Sequence, residues 1–316
     1  VSVGVIAHLH NPSPHDAREL AVAAEAAGAD WLGLADAFWW RDVWMLLAEA
    51  ARVTTTLEIG PVVTNPYLRH PFHTVAALAT LQDLAGPRVF VGLAAGGSEI
   101  TGAAAIARGD APRRVRELAQ LIRAVAAGAP LDTASGRALE VRLHPLPVLV
   151  AGRARGLLET AGHTADRALL WAVPTSDLAR SVSLIQQGAD AGRDAPDARP
   201  EIVWAPLVVH DEVSATRIRT IAAYSVLNSN RTLQRSWGIA PDTIDEIRRR
   251  LVRGGAEAAM ELVPPGVFGD LVLPSSDPGV AAATARSIGA TSLAVPAFDI
   301  ASVGVRVAWA HAVLDA

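Results

Sequence analysis

Apolar and polar positions fall in blocks along this chain. Eight short apolar runs stand out: VGVIAH (3–8), WLGLA (31–35), LEIGPVV (57–63), RVFVGLA (88–94), LPVLVA (146–151), RALLWAV (167–173), EIVWAPLVV (201–209) and TSLAVPAF (291–298). Stretches with helical spacing separate them; in DARELAVAAEAAG, for example, Leu20, Ala23, Ala24 and Ala27 share one face. Further helices are predicted over 71–84, 113–126 and 175–191, with a last one over 301–314. Strands that are apolar throughout need cover on both faces. Eight strand–helix units therefore predict an α/β fold, a (β/α)8 TIM barrel formed as one domain over 1–316. A doubly wound sheet is the rival, but no GxGxxG follows the first strand. The missing fingerprint also argues against tight binding of a nicotinamide cofactor alone. Two segments read as insertions: 129–144, in the form of a small hairpin, and 228–270, which mixes helix formers and breakers and is placed to cover the barrel mouth.

Composition narrows the function classes. With 316 residues, 51% hydrophobic, the chain can bury a large core. A formal net charge of -4 gives no reason to expect nucleic acid as a partner. No charge-free apolar run reaches the length of a membrane span, and VSVGVIAHLH reads as a first strand rather than a signal peptide. Cysteine is absent, which removes disulfides, thiolate ligands and cysteine nucleophiles and is compatible with a cytoplasmic location. The sequon at Asn230-Arg231-Thr232 reads as accidental.

Barrel active sites form where the strands end at their carboxyl face. The exits here carry His8, then Asp36 ahead of Phe38-Trp39-Trp40, then Val62-Val63-Thr64-Asn65, then AAGGSE with Gly96 and Gly97, then Gly152-Arg153-Ala154-Arg155. Trp171, His210 and Phe298 end the last three strands. In AGRARG a strand end meets a helix start whose free N–H groups favour an anion, and two arginines add forked donors; the alternative is a solvated basic turn. The glycines of AAGGSE would admit a flat ring or a phosphate, and would equally serve a tight turn. Phe38, Trp39, Trp40 and Trp44 would wall a pocket for a planar ligand, although Trp44 stands at helical spacing from Trp40, so one of the pair packs internally. His8 and His10 form an HxH pair, but later exits supply no further ligands, so no metal is expected. There is no GxSxG elbow for a serine hydrolase. Glycoside hydrolysis would rest on Asp36 and Glu99, whose separation nothing fixes. A non-enzymatic barrel remains a further reading.

TNPYLRHP (64–71) marks a strand exit, a shaped corner and a helix start, and it resembles the TNPYxRHP signature of the bacterial luciferase-like family of flavin- and coenzyme F420-dependent oxidoreductases. LQDLAGPRVFVGLAAGG resembles that family's passage into strand four, and LPVLVAGRARGLLETAGHTADRALLW its passage from strand five to strand six; the methylenetetrahydromethanopterin reductase branch is the most similar. The resemblance implies a (β/α)8 barrel with insertions, a homodimer, and F420 or alternatively FMN at the carboxyl ends of the strands. It implies that Val62, Val63, Thr64 and Asn65 run along the cofactor ring, with a non-prolyl cis peptide near Val62–Val63. Arg69, His70 and Pro71 would shape and anchor the helix entrance.

The chain also departs from the family pattern. Asp36-Ala37 stands where Asp-His is frequent, Gly97 where one branch has an acid with Glu99 only a loose substitute, Ala154-Arg155 where Gly-Pro is frequent, and Ala165-Asp166-Arg167 where Ala-Asp-Gly is familiar. These changes argue against carrying over any one member's substrate. A deazaflavin donates hydride at C5, and a flavin also reacts with oxygen, so the site needs flat dry walls more than a titrating dyad. The implied function is F420-dependent hydride transfer to a small organic substrate. FMN-dependent monooxygenation and a non-catalytic flavin-binding barrel are the alternatives. His8 and Trp39 are then the candidate substrate contacts, Asp36 orients a proton beside the cofactor, and a separate flavin or F420 reductase is a possible partner.

Overall fold

The computed structural model describes residues 2–97, 101–102, 104–129, 140–195 and 199–316. Eight parallel strands form one sheet: β1 (Ser2–Ala7), β2 (Trp31–Leu34), β3 (Glu58–Pro61), β4 (Val91–Leu93), β5 (Val148–Ala151), β6 (Arg167–Trp171), β7 (Glu201–Ala205) and β8 (Ser292–Ala297). Their order is β3-β2-β1-β8-β7-β6-β5-β4. Parallel bridges Ile59↔Val89 and Thr64↔Leu93 join the two end strands, so the sheet closes into a barrel and the doubly wound rival is excluded.

Helices α1 (Pro14–Ala26), α2 (Val43–Val53), α3 (Pro71–Ala85), α4 (Ala111–Ala126), α5 (Arg155–Thr164) and α6 (Leu178–Asp190) alternate with the first seven strands. Local chemistry sets their starts. Ser13 and Asp16 form a capping box on α1, Asp42 caps α2, Asp110 caps α4, and Pro stands in the first turn of α1, α3 and α4. The stretch between β7 and β8 holds α7 (Glu212–Asn228), α8 (Arg231–Ser236), α9 (Pro241–Met260), α10 (Pro265–Leu271) and α11 (Pro278–Ser287). Within α9, Gly255 (φ 78°) breaks the helical path. Ile218, Ala222 and Ile247 of this stretch share a buried cluster with Ala172, Leu207 and Phe298 at the exits of β6, β7 and β8. α12 (Val303–Asp315) follows β8. The hairpin expected in 129–144 falls mainly on 130–139, outside the described residues. Among the described residues no helix is long and apolar enough to cross a membrane.

Strand residues alternate between two cores. Val5, Leu32, Ile59, Val91, Val150 and Leu170 face the helices, while Ile6, Trp31, Phe90, Leu149, Leu169 and Val203 fill the barrel. At the amino end of the interior, Arg167 bonds Glu58 and lies 3.6 Å from Glu201, which accepts the Ser292 hydroxyl. The guanidinium also sits 6.0 Å from the Phe90 ring centroid. Arg167, where glycine is familiar, thus closes the bottom of the barrel with a paired charge.

Bulky Trp31 and Phe90 fit because glycines face them. A Cβ on Gly4 would overlap the Trp31 ring, and one on Gly60 would overlap the Phe90 carbonyl oxygen. A ring can shift, but a backbone carbonyl cannot without moving Phe90, whose N–H donates to the Ile59 carbonyl across the β3–β4 seam. Gly60→Ala is expected to destabilise the fold by roughly 1–3 kcal/mol in chemical denaturation. Gly266→Ala, where a Cβ would meet nothing within 4 Å, is expected to stay within about 0.5 kcal/mol of the parent.

Candidate active site

The site begins where β3 leaves its ladder. After Pro61 come Val62 and Val63, joined by a cis peptide at the place the resemblance implies. Both pack into the barrel interior. Thr64 then rejoins β4: its N–H donates to the Gly92 carbonyl at 2.9 Å, and its own carbonyl accepts from Ala94 N–H at 3.0 Å. The buried Thr64 hydroxyl donates to Asp36 Oδ2 at 2.7 Å, tying the exits of β2 and β3 together. Burial raises the Asp36 carboxyl above the ordinary range and outweighs the Thr64 hydrogen bond and the more distant Arg69, which lower it.

The rest of TNPYLRHP builds the corner. Asn65 Oδ1 accepts from Tyr67 N–H at 3.0 Å and Leu68 N–H at 3.1 Å, an Asx turn. That oxygen is therefore committed to the backbone. Arg69 bonds Asp42, the cap of α2, and His70 caps α3 by accepting the Phe72 N–H through Nδ1. Arg69 and His70 thus lock the corner to two helix starts.

A second wall comes from β1, β6 and β8. The His8 ring stacks on Trp171 with centroids 5.4 Å apart and planes at 25°, and tilts against Phe298 at 5.7 Å. Burial, helped by the Arg217 charge on α7, lowers its pKa to about 4, so the imidazole is neutral near pH 7. Phe38 and Trp39 after β2 are half exposed and pack on each other at 4.9 Å. Trp40 meets His10 edge-on at 6.0 Å, so the HxH pair divides between two surroundings. Trp44 is buried between barrel and helices and is the member of the 40/44 pair that packs internally. Among the described residues no group of three or more His, Asp or Glu could hold a metal.

At the β4 exit, Gly96 is left-handed (φ 69°) and its carbonyl accepts from Arg108 at 3.2 Å; the Gly97 carbonyl accepts the Thr101 N–H and hydroxyl. Glu99 lies outside the described residues. At the β5 exit the two arginines diverge. Arg153 Nε donates to the Trp171 carbonyl at 3.2 Å, turning toward the mouth, whereas exposed Arg155 pairs with Glu159 along α5 at 2.9 Å. Ala154, the N-cap of α5, offers no side-chain cap, so the first N–H groups of that helix are left for a ligand or solvent. Neutral flat walls on two sides and an uncapped helix start form a donor set suited to a planar cofactor bearing a phosphate.

Two residues that sequence reasoning missed brace this arrangement. Arg306 is 1% exposed. Its guanidinium donates to Asp211 Oδ2 at 3.0 Å and the Ser302 hydroxyl at 2.9 Å, and sits 5.1 Å from the Phe298 ring centroid. Asp211 also forms the capping box of α7, which carries Arg217. One signal was legible: Arg306 interrupts the apolar stripe Val303, Val307, Ala310 on the last helix. Nothing local could have paired Arg217 with His8.

Comparison with known proteins follows this geometry. The family profile described as luciferase-like monooxygenase matches residues 2–291. The 5,10-methylenetetrahydromethanopterin reductase of Archaeoglobus fulgidus is 25% identical over 236 residues, covering 72% of this chain and 71% of the relative. That of Methanopyrus kandleri is 26% identical over 282 residues, covering 81% and 80%. Among solved structures, the coenzyme F420 dependent tetrahydromethanopterin reductase from Methanopyrus kandleri superposes with a TM-score of 0.78 at 20% identity, covering 98% of this chain and 97% of that one. An F420-dependent secondary alcohol dehydrogenase in complex with an F420-acetone adduct gives 0.74 at 17% identity, covering 99% and 98%. At such identities the structural likeness establishes the fold.

Two outcomes follow from the site's electrostatics. A histidine neutral in the fold but protonated when unfolded contributes stability above the unfolded pKa of about 6.5 and loses it as pH falls toward the folded value. For His8 that window runs from about 6.5 to about 4, and the loss is expected to be about 2–3 kcal/mol. Denaturation of the parent and His8→Gln at pH 7.5 and pH 4.5 checks this: the gap between their stabilities should narrow at the lower pH. Asp211→Asn leaves Arg306 buried without its carboxylate and weakens the α7 cap, and is expected to cost about 2–3 kcal/mol in the same assay.

Proposed function

The chain belongs to the luciferase-like monooxygenase family, and we propose from that premise that it is a coenzyme F420-dependent oxidoreductase acting on a small organic substrate. The observation that carries the reading is the pairing of the bulged β3 exit, with Thr64 tied to Asp36, and a facing wall whose histidine is neutral. Such a cleft suits a flat hydride carrier. The F420-dependent enzymes among the similar structures favour F420 over FMN.

In this reading Val62, Val63 and Thr64 flank the cofactor ring, with Asn65 shaping their turn. Gly96 and Gly97 let the ring approach the backbone. Gly152, Arg153, Ala154 and Arg155, with the start of α5, hold the phosphate. When bound, the deazaflavin supplies a hydride at C5. His8, Trp171 and Phe298 exclude water and present a flat surface to the substrate, and Trp39 forms its outer edge. An acceptor carbon double-bonded to oxygen or nitrogen gains hydride at carbon and a proton at the heteroatom. Asp36 is the group suited to relay that proton: burial raises its carboxyl, and with Oδ2 taken by Thr64 it would act through Oδ1. We also assign a homodimer, a separate reductase that regenerates the carrier, and a cytoplasmic location, since a diffusible hydride carrier has to be re-reduced by metabolism. The whole of 1–316 acts as one unit, with 228–270 as an insertion beside the mouth.

Fluorescence titration of the purified protein with F420 and with FMN tests the cofactor assignment. F420 is expected to bind at least about tenfold more tightly, a difference of about 1.4 kcal/mol. Tighter binding of FMN would transfer the reading to monooxygenation, and binding of neither would overturn it. Arg153→Ala is expected to weaken F420 by roughly 10- to 100-fold, the value of a charge-assisted contact. The exposed, already paired Arg155 is expected to contribute less.

A further inference from the structure

Beside the mouth lies a second concavity, between the corner that follows Asn65 and helix α4. Its volume is about 540 Å³, and its lining includes Pro66, Tyr67, Arg69, His70, Arg114 and Leu121. Buried Leu118, Leu121 and the two prolines of the corner give it an apolar part.

The rim is cationic. Exposed Arg114 lies 5.7 Å from the Tyr67 ring centroid and has no ion-pair partner among the described residues. Arg69 is held at the edge by Asp42. His70 accepts the Phe72 N–H through Nδ1, which leaves Nε2 as the ring's donor nitrogen. Glu117 is the acid among the lining residues, and Arg113 engages it at 2.8 Å.

Short links tie this cleft to the proposed cofactor site. Pro66 directly follows Asn65. The Tyr67 hydroxyl donates to the Arg108 carbonyl at 2.8 Å, and Arg108 donates to Gly96 at the β4 exit. The start of α4 abuts the start of α5 closely enough that a Cβ on Gly156 would lie 2.8 Å from Pro112. The start of α5 therefore lies against the first turn of α4, two residues before Arg114.

We infer that this cleft takes the carboxylate-bearing tail of coenzyme F420, with Arg114 as its principal anion contact and Leu118 and Leu121 beneath the tail's methylene groups. The inference rests on the F420 reading above. F420 continues past its phosphodiester into amide-linked carboxylates, and forked guanidinium donors match carboxylates in charge and geometry. FMN ends at its phosphate, and a deazaflavin riboside without the tail ends earlier still, so neither reaches the cleft.

The test is a fluorescence titration of the parent, Arg114→Ala and Arg114→Lys with three probes: F420 bearing several glutamates, the deazaflavin riboside lacking phosphate and tail, and FMN. Because Arg114 is exposed, its replacement leaves the core intact. Arg114→Ala is expected to weaken tailed F420 by about tenfold, the scale of a charged contact, with Arg114→Lys recovering part of the loss. The riboside and FMN should change less than twofold. The effect should shrink as salt rises from 0.05 M to 0.5 M, as screening requires (~10 Å Debye length at 0.1 M). Tailed F420 that binds the parent and Arg114→Ala equally would overturn the cleft while leaving the F420 reading in place. Equal weakening of all three probes would overturn it as well, by showing a general effect on the mouth. Failure of the parent to bind F420 would remove both.

Discussion

Everything at the carboxyl end of this barrel depends on how β3 meets β4. The ladder holds at Ile59, is given up over Val62 and Val63, and is resumed at Thr64. Those two residues, off the β4 ladder, turn a closed parallel sheet into a site, because they place backbone and apolar side chains at the mouth while the seam stays bonded on either side. The Thr64 hydroxyl then fixes Asp36 from the neighbouring strand. Loss of the seam at Thr64 would free Asp36, the corner after it and the start of α3 together.

The two ends of the interior use opposite electrostatics. At the bottom, Arg167 is neutralised by Glu58 and Glu201, and its charge stays inside because it is paired. At the mouth, burial works without such pairing: His8 is pushed toward its neutral form and Asp36 toward its protonated one. Both shifts reduce charge in the cleft, which is the state a hydride acceptor and a flat ring need. Stability and chemistry are thus separated along the barrel axis, as expected of this architecture.

The arginines also divide into roles that their spacing does not reveal. Arg306 is sealed beneath the mouth, where it steadies Phe298 and the cap of α7. Arg153 turns in toward Trp171, and Arg155 turns away along its own helix. Arg69 ties two helix starts together, while Arg114 stands on the rim of a cleft. Each role follows from which carboxylate or carbonyl lies within reach, and these partners come from distant parts of the chain.

By itself the sequence determined the features whose causes are local. Apolar runs of strand length, prolines and aspartates at helix starts, and the absence of a glycine fingerprint after β1 were enough for eight strand–helix units and a barrel. The TNPYLRHP corner and the glycines after β4 were legible as exits for the same reason. Tertiary structure alone decided what those exits do with their side chains. Asn65 spends its oxygen on its own turn; the paired arginines of AGRARG diverge; and of Trp40 and Trp44 it is Trp44 that packs. The physical reason is that strand and helix periodicity are encoded within a few residues. By contrast, a hydrogen bond from Thr64 to Asp36, a stack of His8 on Trp171, or a charge on Arg217 felt by His8 exists only once closure of the barrel brings distant strand ends onto one rim.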